Sequence, residues 1–299
     1  MGRNPTLPII KQNKGSKRPP SHEELKLVGL TDSDLFNSFR IEKIGGEYRL
    51  SYNLFQSLYN LRLLYHIKKT LGYGKVLRYE ARQIARFTIS DIKVLKDVIL
   101  PIFDKYPLLT RKYFYYLQFK EAWRIIENKS LTTEQKNEAI ENLLNILLPA
   151  DYVSPAIAHL SEKSSHEMIK SVISMYWLAG FIEGQGNLDL LSEGGVFYVE
   201  FSIRIKRERV LLYLIKRLLH IPNKVIDQNG YLLLKTKHSR AISNIIDIFS
   251  TGYLKFKGMK SLEFKLWKKA FFYKERNIKK VGKIYKIVIK LHKKLRPLD

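Results

Sequence analysis

The side chains most suited to chemistry, given the element that would hold them, are Glu183 and Gln185. They lie in the stretch Trp177-Leu178-Ala179-Gly180-Phe181-Ile182-Glu183-Gly184-Gln185-Gly186. Trp177, Leu178, Phe181 and Ile182 recur at helical spacing and make one apolar helix face. Gly180 and Gly184 weaken a helix, so their use there predicts a second backbone packed very close. Gly186 is expected to stop the helix in the left-handed conformation. Glu183 and Gln185 are then aimed off the helix C-terminus, where the dipole opposes an acid and favours a nearby cation.

Leu178 to Gly186 resembles the motif helix of the LAGLIDADG homing endonucleases and maturases and fills all nine of its places. The resemblance implies a metal-binding acid just before the last glycine, but Gln185, an amide, stands there. Leu27-Val28-Gly29-Leu30-Thr31-Asp32-Ser33-Asp34-Leu35 looks like a second copy. Gly29 and Ser33 are small residues four apart, like Gly180 and Gly184. Asp34 takes the metal-binding position, Ser33 replaces a residue that is often glycine, and Leu35 replaces the final glycine.

The elements after each motif repeat as well. Phe39 to Ile44, Gly45-Gly46 and Tyr48 to Leu58 read as a hairpin, as do Leu188 to Leu191, Gly194-Gly195 and Phe197 to Lys206. Leu61, Leu64 and Leu71 predict a helix closing at Gly72, and Leu212 to Arg217 echoes it. Further hairpins are expected over 75–88 and over 224–237, the latter turning at Asn229-Gly230. Ser90 is expected to cap the next helix. An offset of 145 residues aligns Lys112 with Lys257 and Phe119 with Phe264. Thr132 or Thr133 is expected to cap a helix running through Leu148 to Pro149.

The expected organisation is a flexible basic arm over 1–24, a first unit over 25–130, a linker over 131–170, and a second unit over 171–299 with a basic C-terminal extension. The resemblance implies an α+β fold of two pseudo-symmetric αββαββα units. Their motif helices would pack through Gly29, Ser33, Gly180 and Gly184, and their antiparallel sheets would form a saddle over DNA. It also implies Asp34, Gln185, Lys112 and Lys257 as the catalytic set, with Asp34 the metal ligand and Mg²⁺ or another divalent cation the cofactor. Glu183, about 200° around the helix from Gln185, cannot replace it without local unwinding. Alternation along the strands and hairpins nominates Arg40, Arg49, Asn53, Arg78 and Arg82 in the first unit for nucleic-acid contact. Arg204, Lys206, Lys235 and Lys237 are their counterparts in the second.

Composition agrees with a polyanion partner. The 299 residues carry 53 Lys and Arg against 28 acids, a net charge of +25. No apolar run approaches the roughly 18 residues that span a bilayer, and the chain has no cysteine, which excludes disulfides and thiolate zinc. Met1-Gly2 with Thr6 fits a loose myristoylation pattern that nothing else supports. The expected partner is double-stranded DNA, bound by a monomer with internal pseudo-twofold symmetry, with no membrane. Attenuated or nicking cleavage is expected, because Gln185 replaces one motif acid. The alternative is a maturase of the same fold assisting a group I intron RNA. The resemblance implies an intron-encoded protein of an organelle, the mitochondrion or alternatively the chloroplast, and richness in Lys, Ile, Leu and Tyr suits an A+T-biased genome.

Overall fold

The computed structural model describes residues 21–274 and 276–295. The basic arm up to Pro20 lies outside the described residues. The segment Ser21 to Glu24, expected within that arm, already belongs to the first helix.

The first unit runs α1 (Ser21–Ser33), β1 (Phe39–Ile44), β2 (Glu47–Ser57), α2 (Leu61–Leu71), β3 (Lys75–Tyr79) and β4 (Ile84–Ile89). Then α3 (Ile92–Val94) passes through a π turn at Leu95–Ile99 into α4 (Leu100–Lys105), and α5 (Lys112–Glu127) closes the unit. The connection contains α6 (Thr133–Leu144) and α7 (His166–Val172). The second unit repeats the order: α8 (Met175–Gln185), β5 (Gly186–Glu193), β6 (Val196–Lys206), α9 (Arg209–Leu218), β7 (Ile226–Gln228), β8 (Tyr231–Thr236), α10 (Ser239–Ser250) and α11 (Lys260–Tyr273). A last helix, α12 (Ile278–Leu295), follows.

Each unit builds one antiparallel sheet, ordered β1-β2-β4-β3 and β5-β6-β8-β7. The first hairpins turn at Gly45-Gly46 and Gly194-Gly195, all at positive φ. Asn229 and Gly230, at φ 53° and 80°, make the expected type I′ turn. Alternate side chains of each sheet enter the core: Leu50, Tyr52 and Leu54 on β2, and Phe201, Ile203 and Ile205 on β6. Phe39, Tyr52, Phe103, Tyr116 and Phe119 form one aromatic cluster under the first sheet.

Three local expectations change. Gly186 is extended (φ −76°, ψ 136°) rather than left-handed. Its missing side chain matters because a Cβ would stand 2.6 Å from Ile182 Cγ2, and α8 passes into β5 without a loop. Asp91, not Ser90, caps α3 by accepting from the amides of Lys93 and Val94. Thr132 does cap α6, in a reciprocal box with Gln135, but that helix ends at Leu144.

The axis of the molecule is the pair α1 and α8. A Cβ on Gly29 would lie 1.9 Å from Trp177 O, and one on Gly180 would lie 2.0 Å from Lys26 O. One on Gly184 would lie 2.0 Å from Ser33 Oγ. The first two contacts cross near the middle of both helices and the third lies at the end of both, so the helices run in the same direction and their C-terminal ends emerge side by side. Gly29 and Gly180 meet each other's helix through equivalent carbonyls, which fixes the pseudo-twofold. No helix among the described residues is long and apolar enough to cross a membrane.

Candidate active site at the ends of the paired helices

Two acids that point back into the protein hold each motif helix against its own unit. Asp32 is buried and accepts hydrogen bonds from Leu109 N (2.9 Å), Thr110 N (3.1 Å), Thr110 Oγ1 (2.6 Å) and, from the other unit, Trp177 Nε1 (2.9 Å). Glu183 is buried equivalently and accepts from Lys257 N (2.8 Å) and Gly258 N (2.9 Å). Burial raises both carboxyls above their usual range, against the pull of these bonds. Glu183 is thus committed to the loop before α11, and it does not replace Gln185.

Asp34 follows the last turn of α1. Its Oδ1 accepts from Phe36 N (3.0 Å) and its Oδ2 from Phe55 N of β2 (3.2 Å). Burial pushes its carboxyl up, and the nearby Lys112 ammonium pulls the other way. Leu35, in the place of the motif's final glycine, is 84% exposed. It lies in the loop that carries the chain to β1. Lys112, the first residue of α5, donates to Thr31 O (2.8 Å) and Phe36 O (2.9 Å). Burial lowers its pKa, opposed by Asp34 and Asp32.

The second half differs. Gln185 ends α8 and donates through Nε2 to Arg204 O of β6. The lysine equivalent to Lys112 is not Lys257. Leu109 and Thr110 correspond to Lys257 and Gly258, an offset of 148, and α11 therefore begins at Lys260 where α5 begins at Lys112. Lys257 Nζ lies 3.6 Å from Glu23 Oε1, near the far end of α1. Lys260 Nζ reaches Gly186 O (2.5 Å), next to Gln185, and also pairs with Glu263 Oε2 at 2.9 Å. Glu263 is 2% exposed. Burial alone would raise its pKa, but Lys260 and His292 hold it down to about 2. The offset of 145 rested on similar residue types at α-helical positions, and a three-residue shift keeps a similar helix face.

Strand register sorts the basic candidates. Arg40 pairs with Ser51 and Glu42 with Arg49 on the face turned away from the core, and Arg40 is ion-paired to Glu42. Arg204, Lys206, Lys235 and Lys237 are exposed on the matching face of the second sheet. Arg204 and Lys206 lie over the Tyr231 ring at 4.4 and 5.8 Å, and Lys237 meets Glu193 and the Tyr198 ring. Two candidates depart from expectation. Asn53 is on this face but fully buried, its amide turned to Ser51. Arg78 is opposite Ala85, on the helix-covered side, and donates to Tyr65 Oη of α2. Arg82 lies on the expected hairpin, in the turn between β3 and β4. Sequence reasoning missed Arg86, which is opposite Phe55 on the outward face and lies over Tyr79, with its Nε unpartnered among the described residues. The alternation Ile84-Ala85-Arg86-Phe87 carried that signal.

The LAGLIDADG endonuclease pattern matches residues 27–123 and 178–271, both helix-led repeats. This chain belongs to the LAGLIDADG endonuclease family. The probable intron-encoded endonuclease Cox1-I1b of Schizosaccharomyces pombe is 32% identical over 253 residues, 82% of this chain and 62% of that protein. The uncharacterized mitochondrial protein RF1 of Saccharomyces cerevisiae is 30% identical over 212 residues, 71% of this chain and 41% of that protein. The chain therefore spans less than two thirds of the length of these relatives. The structure of I-SmaMI bound to uncleaved DNA target in the presence of calcium ions matches with a TM-score of 0.71 at 20% identity, over 90% of this chain and 97% of that one. That likeness shows that the LAGLIDADG fold is shared.

The donor set at the LAGLIDADG helix ends suits a hard divalent cation on one side. Asp34 is an anionic oxygen ligand with lone pairs beyond its two amide bonds, at a helix C-terminus where a cation is favoured. Gln185 has only a neutral carbonyl oxygen to give.

Proposed function

We propose that the chain is an intron-encoded, sequence-specific DNA endonuclease whose two halves cut with unequal strength. The observation that carries this reading is the pairing of Asp34 and Gln185 at the adjacent ends of the motif helices, with Lys112 held beside Asp34. Asp34 would hold Mg²⁺ or a similar cation, the remaining ligands being DNA phosphate oxygens and water, as hard cations accept. When bound, such a cation activates water and neutralises charge at the leaving oxygen. Lys112, fixed by two carbonyls, would stabilise negative charge developing on the phosphate. In the other half Lys260, rather than Lys257, takes that place, with its charge partly engaged by Glu263. Arg40, Arg49, Arg86, Arg204, Lys206, Lys235 and Lys237 would face the duplex, Arg side chains being suited to guanine edges. The mitochondrial relative and the intron-encoded one support an origin in a mitochondrial intron.

The test is a nicking assay on supercoiled plasmid carrying the exon junction that the coding intron interrupts, with Mg²⁺ or with chelator. Nicked circles should accumulate well before linear product, and chelator should stop both. Linear product formed without a nicked stage would overturn the inequality of the halves. A second reading, a maturase that assists folding of a group I intron RNA, is favoured by the same Gln185, since RNA binding needs no second acid. Splicing stimulation without any plasmid cleavage would select it.

A further inference from the structure

Helix α12 lies beyond both segments that match the family pattern. It holds seven lysines and no acid. Lys279, Lys283, Lys286, Lys290 and Lys293 follow one another at steps of four and three, which places them on one stripe, and all are exposed. Val281, Ile284, Val288 and Leu291 are buried on the opposite stripe. Like charges at these spacings destabilise a helix, and five occur within about 21 Å at 1.5 Å per residue. Among the described residues, Lys279, Lys283, Lys286 and Lys290 have no acidic partner. A helix that keeps so many unpaired cations in line is complementary to a regular array of anions.

The course of the helix says where that array would run. Tyr285 packs on Phe197 (5.4 Å between rings), on the core side of β6. Further along, His292 Nδ1 comes within 3.6 Å of Asp189 Oδ1, which by register faces outward with Glu200. At the end, Ser57 Oγ of the first unit donates to Lys294 O (3.2 Å), and Lys294 Nζ lies 5.1 Å over Tyr59. Ser57 shares the outward phase of Phe55. The helix thus passes the β5 edge of the second sheet and ends against Ser57 and Tyr59 of the first unit.

We propose that α12 is a second phosphate-binding element, which seats the sugar-phosphate backbone of double-stranded DNA alongside the two sheets. This rests on the DNA-binding reading above. Lysine is suited to such contacts as a point charge without sequence preference. The test compares the full chain with Lys279, Lys283, Lys286 and Lys290 all changed to Gln, and with all four changed to Arg. Gln and Arg are good helix formers, and matching thermal unfolding checks the fold. Binding to target duplex with 20-bp flanks is measured against salt. The Gln variant should bind at least about tenfold more weakly, with a log–log salt slope shallower by about 2–4, since each phosphate contact contributes about −0.9. The Arg variant should keep the original slope. An unchanged slope in the Gln variant overturns the proposal and leaves the sheets as the DNA site. A loss confined to a structured RNA of equal length overturns it in favour of RNA. Absence of duplex binding by every protein overturns both this proposal and the DNA-binding reading.

Discussion

At the end of α1 the chain leaves the helix after Ser33, and a five-residue loop carries Asp34 to β1. At the end of α8 the helix runs through Gln185 directly into β5. The acids two residues earlier, Asp32 and Glu183, do the same work in both halves, each anchoring the loop before α5 or α11. The lysines also start equivalent helices and both donate to carbonyls, yet Lys112 lies beside Asp34 while Lys260 is paired with buried Glu263, supported by His292 from α12. The close approach of the helices at Gly29 and Gly180 is symmetric. What could act on a phosphate is not. Packing tolerates little variation at such close contacts, whereas a polar site open to substrate can lose a charge without unfolding the protein.

The largest effect that would sharpen this comparison is loss of the one motif carboxylate. Asp34→Asn should reduce cleavage at least about 10³-fold while leaving duplex affinity within threefold, and Gln185→Glu should raise double-strand cutting relative to nicking. These are read from nicked and linear plasmid over time; residual cutting by Asp34→Asn would show that the chemistry lies elsewhere. Breaking the symmetric part comes next. Gly29→Ala and Gly180→Ala should each cost roughly 3 kcal/mol through overpacking, and lower the unfolding midpoint by about 6–12 °C. Clearly unequal losses would contradict the equivalence of the two contacts.

The lysines give a smaller contrast. Lys112→Met should slow single-turnover cleavage about 100-fold with affinity retained. Lys260→Met should slow it less than about tenfold, because Glu263 already engages that charge. Equal effects would erase the asymmetry assigned to the pair. The smallest effect concerns the joint between the units, where Glu208 accepts from Arg111 N (2.9 Å) and Arg111 Nε (3.2 Å). Burial pushes its carboxyl up to about 7, from an ordinary 4.5, with the Arg111 contacts opposing. A raised carboxyl adds stability below the unfolded value, and that contribution is lost as pH rises through about 7. Glu208→Gln should therefore gain stability relative to the parent chain between pH 5 and 8, by at most about 3 kcal/mol. A difference that does not change with pH would count against ionisation of Glu208 in the fold.

Much of the architecture was legible in order along the chain. Apolar spacing in Trp177 to Ile182, the paired glycines at both hairpins, and Asn229-Gly230 are local signals, because helix periodicity and turn geometry are set within a few residues. Gly29, Ser33, Gly180 and Gly184 announced a close helix pair, since only small residues admit a backbone at that distance. Arg78 was misplaced because register decides which phase of a strand faces out, and register is set by the partner strand. Asn53 was misjudged because outward phase does not ensure exposure. Gly186 takes an extended path rather than a left-handed one, and glycine is needed there because Ile182, in the turn before it, leaves no room for a side chain.

By itself, then, the sequence determined the repeat, the two glycine-bearing helices, the outward basic strands, and the acid in one motif with an amide in the other. Only the tertiary structure decided that Lys260 rather than Lys257 corresponds to Lys112, that Glu183 turns inward to cap a loop, and that α12 ends against Ser57 of the first unit. Each of those outcomes depends on groups more than 70 residues apart meeting in space, which no local pattern encodes.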